Sequence, residues 1–92
     1  MFAKFIVPKG ALYGYSRNNL KALKCGRTIW IDVADCLSME LRETSIIFFR
    51  DYTTLVFASA EEAQNVAQSI EDAWTAGRKL CCIDAEVNTV IR

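Results

Sequence analysis

The sequence predicts a small single-domain α+β protein over residues 1–92, an antiparallel β-sheet meander of four to six strands packed by one main helix, about 59–76, with a short helix at about 16–25. Three observations predict it. An apolar stripe of helical period follows a capping signature at Ser59, runs with strand character precede it, and two more strand-like runs follow it. With 52% hydrophobic residues, four Gly and one Pro in 92 residues, the chain has apolar mass for one modest core and few breakers. No repeat, low-complexity tract or linker divides it.

The opening Met1-Phe2-Ala3-Lys4-Phe5-Ile6-Val7-Pro8 reads as a first strand, because its apolar stretch is too short for a secretory signal. Between Pro8 and Gly26 the chain changes character. Gly10 and Gly14 loosen it, Tyr13 and Tyr15 break the alternation, and Ser16 is a candidate cap for the short helix ending before Gly26. Strand character returns at 28–33, at 37–42 with Leu37, Met39 and Leu41 on one face, at 45–50 and at 52–58. The joints Ala34-Asp35, Glu43-Thr44 and Arg50-Asp51 are of hairpin length.

Ser59 and Glu62 form a Ser-x-x-Glu capping signature, and Gly77 supplies the stop of the main helix. Ala63, Val66, Ala67, Ile70, Ala73 and Trp74 share about 120° of arc, which assigns all six, Trp74 included, to the buried side. Residues 79–83 and 86–91 are strand-like, and either is suited to return beside the first strand.

The net charge is zero, yet its distribution is uneven. Through Arg27 there are six basic residues and no acidic one; the remainder carries five basic and eleven acidic side chains. On a helix at 16–25, Arg17, Lys21 and Lys24 fall on one stripe suited to a phosphate backbone. Tyr13 and Tyr15 are candidates to stack on unpaired bases, Asn18 and Asn19 to hydrogen-bond phosphates or base edges, and Lys9 and Arg27 to extend the basic patch. The alternative is that the lysines solvate a surface or pair with the chain's own carboxylates while the tyrosines fill the core. On the main helix Glu61, Gln64, Gln68 and Asp72 lie outside the apolar arc, as a face for a basic protein surface or simply for water. Trp30, on the strand face opposite Ile29 and Ile31, is the better aromatic candidate for a protein contact.

Catalysis finds little support. There is no His, no Gly-rich phosphate loop and no nucleophile elbow. Cys81 or Cys82 beside Arg78 and Lys79 is the nearest approach to a reactive thiolate, but an apolar run suits buried thiols better. No cysteine spacing matches a zinc site, so neither a cofactor nor a metal nor a small-molecule substrate is expected. The apolar runs are too short for a membrane helix, and the four cysteines are expected as free thiols in a reducing cytoplasm.

The opening Met1-Phe2-Ala3-Lys4-Phe5-Ile6-Val7-Pro8-Lys9-Gly10, with Tyr13-Gly14-Tyr15, resembles a phage-encoded anti-CRISPR protein of the type I-F class, a resemblance that covers the whole length. It implies a non-enzymatic inhibitor, acting in the host bacterial cytoplasm, that binds the protein subunits of a CRISPR surveillance ribonucleoprotein complex, direct contact with its guide RNA staying open. Target DNA would then be kept from binding or from pairing with the guide. Two other classes stay open: a small nucleic-acid-binding regulatory module, supported by the basic segment but opposed by the neutral total, and a homo-oligomeric structural protein joined through a strand edge.

Overall fold

The computed structural model describes residues 1–33 and 38–92; the expected joint Ala34-Asp35, Leu37 and Cys36 lie outside the described residues. The α+β class with one main helix is present, but the strands form two sheets. The first comprises β1 (Phe2–Val7), β4 (Arg27–Asp32) and β8 (Leu80–Glu86) in the order β4-β1-β8. The second holds β2 (Leu12–Gly14), β3 (Lys21–Ala22), β5 (Met39–Arg42), β6 (Ser45–Phe48), β7 (Thr53–Val56) and β9 (Thr89–Ile91) in the order β3-β2-β9-β7-β6-β5.

Segments β5, β6 and β7 make the expected antiparallel meander, with a two-residue turn at Glu43 and Thr44 and a longer one at 49–52. Two pairings depart from that pattern. β1 lies parallel to β8, and β2 lies parallel to β9, so two chain segments cross side by side from one sheet to the other. At the crossing the Leu12 amide donates to the Asn88 carbonyl at 2.9 Å, and Val87 is fully buried. The register shifts between Phe5 and Ile6, whose partners are Ile83 and Glu86, so β8 carries two extra residues, Asp84 and Ala85, and is the bulged strand.

Helix α1 (Ala60–Thr75) begins as its sequence dictates: Ser59 Oγ accepts from the Glu62 amide at 3.1 Å, satisfying one of the unpaired donors of the first turn. It ends in a Schellman arrangement, Arg78 N–H to Ala73 carbonyl and Gly77 N–H to Trp74 carbonyl, with Gly77 at φ +70°. Ala63, Val66, Ile70 and Ala73 are buried. The helix packs on β8 and reaches β6 and β5, closing the space between the sheets. There the Phe5 ring meets Phe48 edge-on at 6.1 Å.

Three expectations need correction. No helix forms at 16–25; β2 turns back into β3 instead, with Tyr13 opposite Lys21 and Leu12 opposite Ala22. The physical reason is twofold. A helix that short is marginal alone and has only Leu20 and Leu23 to bury, whereas pairing with β9 gives this segment a partner strand. Trp74, expected in the core, is 39% exposed, because Ala73 takes the inward position at the end of α1. Leu41 is also 39% exposed, since β5 is the last strand of its sheet and only Met39 reaches the core from it.

Candidate functional site

The basic residues of the first segment gather around the β2–β3 hairpin. Tyr13 lies on one side of β2, and Tyr15, just past the end of that strand, brings its ring edge-on to it at 6.2 Å. Lys21, directly across from Tyr13, shares that side. Gly14 lies between the tyrosines and permits the tight return of the chain: a β-carbon there would sit 2.5 Å from the Asn19 carbonyl oxygen. The tip is a turn in which the Asn19 amide donates to the Ser16 carbonyl at 3.2 Å, leaving Arg17 and Asn18 exposed.

The hairpin is extended by hydrogen bonds from Gly10 to the Leu23 carbonyl and from Leu23 to the Ala11 carbonyl, at 3.0 and 2.8 Å. These bring Lys9 beside the turn that carries Lys24. Arg27, first residue of β4, closes the group with its guanidinium 4.7 Å from the centre of the Tyr13 ring. A surface depression of about 340 Å³ is walled by Tyr13, Tyr15, Asn19, Lys21 and Leu23.

Lys9, Arg17, Asn18, Asn19, Lys21, Lys24 and Arg27 are thus all exposed, and are carried by a hairpin and its flanks rather than along a helical stripe. The ion pairs among the described residues, Arg42 with Glu40 and Arg50 with Asp32 at 2.6 Å, involve none of these cations. Tyr13 is half-buried and packs against the core, whereas Tyr15 is 79% exposed. Phosphate charge and the flat face of an unpaired base both match this arrangement.

The other candidates occupy separate places. Glu61, Gln64, Gln68 and Asp72 are exposed on α1, with Gln68 donating to Asp72 at 2.9 Å. Trp30 is 51% exposed on the outer face of the three-stranded sheet, where the Lys4 ammonium lies 5.6 Å from its ring centre. Phe2, Ile6 and Leu80 share that face. They escaped sequence reasoning because Phe2-Ala3-Lys4-Phe5-Ile6-Val7 is apolar on both sides of the alternation.

Cys81 is buried and its neighbour Cys82 exposed, as opposite faces of a strand require. Burial pushes the Cys81 thiol up, the adjacent Cys82 adds to the effect, and Arg78 only partly opposes it. That is the reverse of an activated thiolate. Among the described residues no three His, Cys, Asp or Glu side chains converge as metal ligands, and no helix is long and apolar enough to cross a membrane. Comparison with known proteins finds no match: no family model, no curated protein and no solved structure.

Proposed function

We propose that the chain is a non-enzymatic binding protein that docks on a ribonucleoprotein, and specifically an inhibitor of the RNA-guided type I-F CRISPR surveillance complex in the host bacterial cytoplasm. The observation that carries the reading is the β2–β3 hairpin, where Lys21 lines an aromatic-walled depression and the hairpin and its flanks carry further exposed cations, none with a carboxylate partner among the described residues. A guide-bearing complex holds a single RNA strand in a basic protein channel. The hairpin is suited to the RNA backbone and its unpaired bases, while the acidic face of α1 and Trp30 suit the protein walls. Occupying both would keep target DNA from the guide.

The test is size-exclusion co-elution of the purified protein with an assembled type I-F complex, followed by binding of labelled target DNA. Co-elution with loss of DNA binding is expected. Absence of co-elution overturns the proposal, and tight binding to naked single-stranded RNA in its place supports the regulatory-module reading. If three to four phosphates are neutralised, the RNA-dependent part of binding falls with a log–log salt slope of roughly −2 to −3.

A further inference from the structure

Strand β8 is paired on one side only. It ends its sheet beyond β1, and among the described residues no backbone group of residues 80–86 bonds to any other strand or loop. In a parallel pairing alternate residues turn their N–H and C=O away from the partner, so over Leu80–Ile83, ahead of its bulge at Asp84 and Ala85, β8 presents outward donors and acceptors.

A cleft runs along this edge, formed by two adjoining cavities of about 320 and 480 Å³ that share Ser69 and Cys82. Its far wall is α1, which contributes Glu62, Asn65, Ser69, Asp72 and Ala76. These recur every three or four residues, and therefore form one continuous stripe along the helix. On the strand side Cys81 and Cys82 both line the cleft although they belong to opposite faces of the sheet, which places the cleft against the strand's edge. A helix laid beside an unpaired strand edge is the geometry that accepts an extended peptide as an added strand. The charges within it are Glu62, Asp72 and Asp84 against Arg78.

We propose that the cleft between α1 and the free edge of β8 binds an extended, Lys- or Arg-rich segment of a partner protein by strand addition. The backbone of the segment bonds to β8. Basic side chains on its helix-facing side meet Glu62 and Asp72, one on its other face meets Asp84, and the small side chains of Ser69 and Ala76 leave room for its passage. This site is independent of the hairpin and needs no RNA.

The probe is a fluorescein-labelled nine-residue peptide of Lys, Val and Thr with Lys on both faces of the extended strand, titrated by anisotropy against the whole chain. We expect saturable binding, weakened about tenfold or more both by N-methylation of alternate peptide amides and by Glu in place of Lys. Amide exchange should slow at residues 80–86 and stay unchanged at 12–22. The exposed double variant Asp72→Lys/Asp84→Lys should reverse the preference from the Lys peptide to the Glu peptide. Equal binding of the N-methylated peptide, protection confined to β4 or the hairpin, or no binding of the Lys peptide overturns the inference. Loss of ribonucleoprotein co-elution with peptide binding intact would count against the proposed function alone, and the converse against the cleft alone.

Discussion

The α1–β8 layer and the β2–β3 hairpin use their residues in opposite ways. In the first, Ile70 and Val66 are buried and cap, stripe and stop agree along one helix, so the region is held by its own interior. In the second, Gly14 is the only buried residue of either strand, and cations stand close together. Mutual repulsion among exposed like charges lowers stability a little, and the hairpin offsets it by pairing β2 with β9 rather than by burial. On the proposed function, that unneutralised charge is the part of the segment that serves binding.

Substitutions can break this contrast at several strengths. Ile70→Ala removes a fully buried side chain between helix and sheet and should destabilise the domain by about 2–5 kcal/mol in denaturant unfolding. Gly14→Ala forces a β-carbon against the Asn19 carbonyl, and should cost about 1–3 kcal/mol while distorting the aromatic depression. Ser59→Ala removes the acceptor of the Glu62 amide and should cost about 1 kcal/mol, leaving the hairpin untouched in amide exchange.

The smallest effect concerns pH. Asp51 accepts from the Thr53 hydroxyl at 2.7 Å and from its amide at 3.1 Å, and the hydroxyl bond is the main cause holding its carboxyl below the ordinary 3.8. Because the folded value is lowered, the contribution is fully present above the unfolded value near 3.8 and is lost as pH falls through the folded one. Asp51→Asn should therefore be less stable than the wild type at neutral pH, with the difference narrowing in acid unfolding below about pH 4.

Much of the α1 layer was legible because its signals are local. Ser59, Glu62, Gly77 and the 3.6-residue stripe lie within one short stretch, and only Trp74 was misassigned, since periodicity does not say where the helix outruns its sheet. The hairpin was not legible as a hairpin. What decides it is β9, far along the chain, and a parallel pairing with a distant strand leaves no mark on the sequence around Ser16. The membership of the basic cluster was nonetheless readable, because charge and aromatic character survive the change from helix to hairpin. Only the placing of Arg27 over the Tyr13 ring required the geometry. The cleft beside β8 was not visible, since a strand's free edge is a property of topology alone.

The central claim is that the hairpin's charges serve binding rather than folding. Lys21→Glu/Lys24→Glu, two exposed positions, tests it most directly when thermal unfolding and co-elution with the assembled surveillance complex are measured on the same preparation. A midpoint no lower than the wild type's, with co-elution weakened about tenfold or more, is the predicted result. Undiminished co-elution of a folded double variant would contradict the account.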